Sequence, residues 1–190
     1  MSDLFNVVVD AKEFRKVELQ LRDQQKQAGA VIARALNRAA TAAKTAAVKE
    51  VRQGYYVKAK DVNKTIKIYR ASRSKLGAVV VSKDSKLPLD KFRFSPRTRP
   101  KRPPKGGIKV AVKKTGLKTL PHAFLVNHDT GTQIWQRVGK DRLPIRRLMG
   151  PAVPQMLGAD RVQKAFYERG REMYEQRLDH EIKRLLEGGK

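Results

Sequence analysis

From Phe14 onward the apolar positions Val17, Leu21, Ala28, Ile32, Ala35, Leu36, Ala39, Ala43, Ala46 and Val51 recur every three or four residues, the period of one helix face. Asp10 followed by Glu13 has capping-box spacing and starts the expected helix. Gly54 is its natural stop. Roughly 40 residues at about 1.5 Å each make a rod of about 60 Å, with Gly29 as the point where it would break. Its second half, Ala39 to Ala47, is rich in small residues. Either alanine serves there as a good helix former, or the stripe admits another helix at close range, from a neighbouring subunit. At the other end Asp160 caps a second helix, about residues 159–187. Its apolar stripe runs Val162, Phe166, Met173, Leu178, Ile182, Leu185 and Leu186, between charges of alternating sign.

Between the helices the pattern changes. The run from Leu4 to Val9 reads as a strand before the first helix. Asp61 caps a short helix through Ile66, and residues 66–72 and 76–82 read as two short strands. Ile108 to Val112 alternates as a strand. Residues 123–127 and 133–138 flank Asp129-Thr130-Gly131 as a hairpin. Pro144, Pro151 and Pro154 make residues 142–158 irregular. From Lys91 to Lys118 there are eleven basic residues and no acidic one, with prolines at 96, 100, 103 and 104. Residues 95–107 are therefore expected as extended, basic chain.

A chain of 190 residues holds one core. With only 6% aromatic residues, that core must be built mainly from Ala, Val, Leu and Ile, which suits helices. The expectation is an α+β fold in a single domain, 1–190. A long N-terminal helix and a C-terminal helix pack on a small, mainly antiparallel β-sheet, with the extended basic loop at about 93–107.

The net charge of +25 implies a permanent anionic neighbour. It is unevenly spread: residues 54–118 carry 20 basic and 3 acidic residues, so 17 of the 25 net charges lie in that third of the chain. With no cysteine, disulfides and thiolate metal sites are excluded. No apolar run reaches the roughly 20 residues that span a bilayer. The opening Met1-Ser2-Asp3-Leu4 lacks a signal-peptide pattern, so the protein is expected in the cytoplasm or in a particle assembled there.

Groups for catalysis are few. His122 and His128 flank a strand on one face beside Asp129, but no third strong ligand accompanies them. The carboxylates Glu168, Glu172, Glu175, Asp179 and Glu181 are spaced for ion pairs with arginines on their own helix. There is no phosphate-binding glycine loop, dinucleotide fingerprint or nucleophile elbow. Neither an enzyme nor a cofactor is expected, and no small-molecule substrate. Tyr55 and Tyr56 beside Lys58 and Lys60, and Phe92 and Phe94 between Lys91 and Arg93, are either base-stacking residues or ordinary strand residues. Arg97, Arg99, Lys101, Arg102 and Lys105 form the leading cluster for contact with phosphate or with an acidic partner.

Several blocks carry a resemblance. The first is Ala33-Arg34-Ala35-Leu36-Asn37-Arg38-Ala39-Ala40. The second is His122-Ala123-Phe124-Leu125 followed by Ile134-Trp135-Gln136-Arg137-Val138-Gly139-Lys140-Asp141-Arg142-Leu143-Pro144-Ile145 and then Pro151-Ala152-Val153-Pro154. In this order, over nearly the full length, they resemble the minor tail protein Z family of tailed phages and prophages. The later block carries most of the specificity, and His122 stands where the family usually has glycine.

The resemblance implies a non-enzymatic, structural tail-completion protein at the head-proximal end of the virion tail, present in the host cytoplasm during assembly. It implies a homo-oligomeric, sixfold ring and, as partners, tail terminator, tail tube or neck proteins. The basic middle segment is expected to face either phage DNA, bound without sequence preference, or acidic partner subunits. Phe124, Trp135, Arg137, Arg142, Pro144 and Pro154 are the motif residues. Phe124 and Trp135 read as core, whereas Arg137 and Arg142 either bond internally or contact a neighbouring subunit. The rival reading is a non-specific DNA- or RNA-binding protein.

Overall fold

The N-terminal apolar stripe folds as two helices, α1 (Ala11–Gln20) and α2 (Ala28–Gly54), and not as one rod. The computed structural model describes residues 4–8 (backbone), 11–21, 26–83, 86–102, 104, 106–129 and 131–188. The cap expected at Asp10 lies outside them. The stripe lapses between Leu21 and Ala28, where six polar residues intervene, so a continuous helix there would bury nothing. Gly29, the expected break, lies inside α2. A Cβ at Gly29 would come within 2.9 Å of the Arg73 carbonyl oxygen, so the glycine admits a passing backbone.

The small-residue stripe of α2 meets a helix of the same chain. The last helix, α5 (Asp160–Glu187), runs antiparallel to α2. Its first turns pair with the end of α2, where Arg161 Nε reaches Glu50 Oε1 at 2.6 Å. Its last turns pair with the beginning, where Arg34 Nε donates to Glu181 Oε2 at 2.6 Å. Midway, a Cβ on Gly170 would sit 3.3 Å from the Ala43 Cβ. The close approach that the alanines permit is therefore realised here within one subunit. Ala35, Leu36, Ala39, Ala40, Ala43 and Phe166 are all buried, and full burial of a side chain like Phe166 is worth about 1.5–3 kcal/mol.

The strands divide among four small antiparallel sheets where one sheet was expected. Strand β1 (Leu4–Val8) pairs with β3 (Gly77–Ser82), which pairs with β2 (Ile66–Tyr69). The short helix α3 (Ala59–Asn63) precedes them. Lys58 is its N-cap residue and it ends before Ile66, so Asp61 lies within its first turn and does not cap it. Asn37 of α2 clamps the chain beyond β2, donating to the Ala71 carbonyl at 3.0 Å and accepting from the Ala71 amide at 2.8 Å.

A second pair joins β4 (Lys86–Pro88) to β11 (Met149–Ala152). A third sheet orders β5 (Arg93–Ser95), β6 (Ile108–Ala111) and β7 (Lys118–Leu120). The fourth is built from β8 (Ala123–His128), β9 (Gly131–Arg137) and β10 (Ile145–Arg147). Residues 93–95, placed in the extended loop by sequence, are thus a strand, since Phe94 buries its ring while its backbone pairs with Val110. Residues 142–158, expected to be irregular, hold β10, β11 and the short helix α4 (Val153–Leu157). Pro154 sits in the first turn of α4, where its missing N–H is harmless.

The class remains α+β, with α2 and α5 packed against small antiparallel sheets around one hydrophobic cluster. Tyr174 of α5 is buried, and its phenol is held well above the ordinary value, first by burial and then by the carboxylate of Glu13.

Candidate functional site

Where α2 ends, the chain is caught by the third sheet. Tyr55 bridges to Lys113, Tyr56 N donates to the Val112 carbonyl at 2.9 Å, and Lys114 N donates to the Gly54 carbonyl at 2.9 Å. This pairing extends the β5–β6 ladder by one further segment and brings Tyr56 beside two cations from distant sequence. The Arg93 guanidinium lies 5.3 Å from the centroid of the Tyr56 ring and Lys114 Nζ lies 5.8 Å from it. Arg93 Nη1 also donates to the Tyr56 hydroxyl at 3.1 Å.

Around this cluster opens a groove of about 810 Å³. Arg52 from the end of α2, Lys58 and Lys60 around the start of α3, Lys91, Arg93, Arg97 and Lys114 line it, with Gly131 and Thr132 of the β8–β9 hairpin. A second groove of about 520 Å³ shares Tyr56, Arg93, Phe94 and Lys114 and adds Lys109. Seven cations line the larger groove against two carboxylates, Asp61 and Asp90. Asp90 is committed elsewhere: Arg147 Nη2 donates to both of its oxygens at 2.9 Å and Arg147 Nε to one at 3.2 Å. Among the described residues none of the seven cations makes an ion pair. Its size suits a small ligand, but such sites are mostly apolar, and this lining of like charges fits an extended polyanion.

The cluster chosen from sequence is only partly brought to this groove. Arg97 reaches it, its guanidinium 6.0 Å from the centroid of the Phe94 ring. Arg99, Lys101 and Arg102 are exposed in the chain that follows β5, and Lys105 lies outside the described residues. Phe92 and Phe94 are core residues, 4% and 8% exposed, which removes them as stacking surfaces. Lys114 and Arg52 were not singled out by sequence, because the contact that recruits them joins residues 54–56 to 112–114. The one signal was the density of charge itself.

The motif residues of the hairpin separate into two faces. Leu125 and Ile134 pair on the buried face. Phe124 and Trp135 pair on the other and are half-buried, so the expectation that they lie in the core is corrected: alternation along β8 and β9 turns them away from it. Trp135 Nε1 donates to Gln133 Oε1 at 3.1 Å. Arg137 lies 5.7 Å from the centroid of the Phe124 ring and donates to the carbonyls of Arg142 at 2.5 Å and Asp141 at 3.4 Å. Arg142 and Pro144 are exposed in the β9–β10 connection, and Pro154 is buried.

A third charged cluster is structural. Glu181 is fully buried, its Oε2 accepting from Arg34 at 2.6 Å and Arg184 at 2.9 Å, with Arg177 2.8 Å from Oε1. Burial pushes its pKa up, but the hydrogen bond and charge of Arg34, with the charges of Arg184 and Arg177, outweigh this and hold it below 4.5. Among the described residues no group of His, Cys, Asp and Glu side chains is placed to hold a metal ion, and no helix is long and apolar enough to cross a membrane.

Fold and site together define a helix-and-sheet module that presents a basic groove and holds Glu50, Asp90 and Glu181 in ion pairs between distant segments or within its core. Comparison with protein-family models matches prophage minor tail protein Z over residues 17–188. The chain belongs to this family of phage minor tail proteins, and so to the structural proteins of the virion tail. No curated protein and no solved structure matches it.

Proposed function

We propose that this minor tail protein completes the tail at its head-proximal end, joining as a ring of like subunits with its basic face toward DNA or acidic neighbours. Six copies would match the symmetry that the family resemblance implies, and tail terminator, tail tube or neck proteins would be the contacts. No catalytic step is needed for this role.

The observation that carries the reading is the separation of two surfaces. Around α5 positive and negative side chains neutralise one another, as in Arg169–Glu172 and Arg171–Glu175, whereas the groove beside Tyr56 holds seven cations and two carboxylates. A one-signed surface of this kind repels itself unless an anionic body lies opposite it. Such a body is available at a tail end that faces a DNA-filled head.

Labelling the chain and imaging purified particles tests the reading. Label at the junction of head and tail, and non-infectious particles when the chain is withheld, are the expected results; absence from purified particles would sink it. The second reading, a non-specific DNA- or RNA-binding protein working outside the virion, draws on the same groove. It would be favoured by nucleic-acid association in cell extract together with that absence.

A further inference from the structure

We propose that the groove around Tyr56, and not the proline-rich loop, grips duplex DNA, and that it does so through phosphates alone. This rests on the tail reading only for the identity of the polyanion. The nearest aromatic platform already has two cations beside it. Arg93 and Lys114 both lie within 6 Å of the Tyr56 centroid, so a base approaching the ring competes with them for its π-face. Phe92 and Phe94 are buried and cannot substitute, and Tyr55, which also lines the groove, is half-buried against the core.

What the arrangement does offer is fixed positive charge. Arg93 spends one N–H on the Tyr56 hydroxyl, which orients the guanidinium, and its other donors remain for phosphate oxygens. Arg52, Lys58, Lys60 and Arg97 continue the line along the groove. Arg99, Lys101 and Arg102, exposed like the groove cations, lack the ring or hydroxyl contacts that hold Arg93, Arg97 and Lys114, so more of their side-chain freedom is lost when a ligand binds.

Charge density separates the two polyanions that could fill the groove. Duplex DNA carries one charge per about 1.7 Å of axis, whereas an extended peptide made only of acidic residues carries one per about 3.3–3.6 Å. With seven cations against two carboxylates, one of which is held by Arg147, the denser polyanion neutralises the groove more completely. Contacts confined to phosphates carry no sequence information, so mixed and uniform duplexes are expected to bind alike.

The test measures binding of a short mixed-sequence duplex to the full chain between about 50 and 200 mM salt. Pairing Arg93→Ser with Lys114→Ser is expected to weaken binding about tenfold at the lower salt and to reduce the salt slope by about two. Lys58→Ser with Lys60→Ser, on the groove rim, should lower the slope similarly and guards against misfolding of the first pair, which circular dichroism checks. Combined serine substitution of Arg99, Lys101 and Arg102 should have the smaller effect.

Wild-type duplex affinity in both folded groove variants would overturn the proposal. So would Tyr56→Leu abolishing oligo(dT) binding while duplex binding persists, which is the signature of stacking, or tight binding of polyglutamate with none of duplex, which is the signature of an acidic protein partner. These measurements use free protein. A chain that binds duplex through the groove yet never enters particles would defeat the tail-completion reading alone, and one that enters particles with an inert groove would defeat this proposal alone.

Discussion

Arg34 and Glu181 lie 147 residues apart in sequence and meet at 2.6 Å, tying the start of α2 to the end of α5. The Glu181 side chain has no exposed surface, while that of Arg34 is 39% exposed and those of Arg177 and Arg184 are 38% and 55% exposed. The desolvation falls on the carboxylate, and the guanidinium groups keep part of their hydration.

Replacing Glu181 with Gln should therefore destabilise the chain by about 1–3 kcal/mol, less than the loss for a fully buried pair because the arginines can rehydrate. Urea unfolding measures it. The pH dependence has a fixed sign. A carboxylate held below 4.5 in the folded state contributes stability above the unfolded value and loses it as pH falls through the folded one. Wild-type stability should decline below about pH 4.5, and the decline should be shallower in Glu181→Gln. Identical slopes would remove Glu181 as the source.

Two helix glycines should respond differently to alanine. Gly29→Ala brings a Cβ within 2.9 Å of the backbone oxygen of Arg73. The roughly 1 kcal/mol that alanine adds to a helix interior should be outweighed, for a net loss of about 1–3 kcal/mol. Gly170→Ala meets only the Ala43 Cβ at 3.3 Å and should stay within about 1 kcal/mol of neutral. Gly170→Leu should separate α2 from α5 and lower the melting temperature clearly. A stabilising Gly29→Ala would contradict the close approach.

Arg147→Ala should act on the groove from outside it. Arg147 holds Asp90 with two nitrogens and is not itself a lining residue. Its loss releases a carboxylate into the basic groove, so polyanion binding should weaken, and Asp90→Asn in the same chain should restore it. Because the guanidinium fork matches the carboxylate, Arg147→Lys should rescue only in part. Titration with heparin in low salt measures all three.

At the hairpin tip the two motif arginines should separate. Arg137 spends its donors on the carbonyls of Asp141 and Arg142, so Arg137→Ala should cost about 0.5–1.5 kcal/mol of stability and leave subunit contacts intact. Exposed Arg142 should show the reverse, with unchanged melting and impaired particle assembly if it contacts a neighbouring subunit. Equal effects of the two substitutions on assembly would rule this division out.

Much of the fold was legible because it is written in local periodicity. The spacing of Val162, Phe166 and Ile182 marks α5, and the alternation of Ile108 and Val110 marks β6. The short strands β4, β5, β10 and β11 were not legible, since segments of three or four residues carry no period and some contain proline. Arg93 and Phe94 looked like the edge of a basic loop until pairing with Ala111 and Val110 made them strand. The site was half visible: Tyr56, Lys58, Lys60 and Arg93 stood out as aromatic and basic neighbours, but Lys114 did not.

The amino-acid order alone determined the class of fold, the two amphipathic helices, the hairpin, the concentration of positive charge in the middle third and the family motifs, because each depends on residues near one another in the chain. Tertiary structure decided which helix the alanine stripe meets, which carboxylates are neutralised, and which cations gather around Tyr56. Those outcomes depend on contacts between residues tens of positions apart, and periodicity and composition carry no information about which distant segments pair.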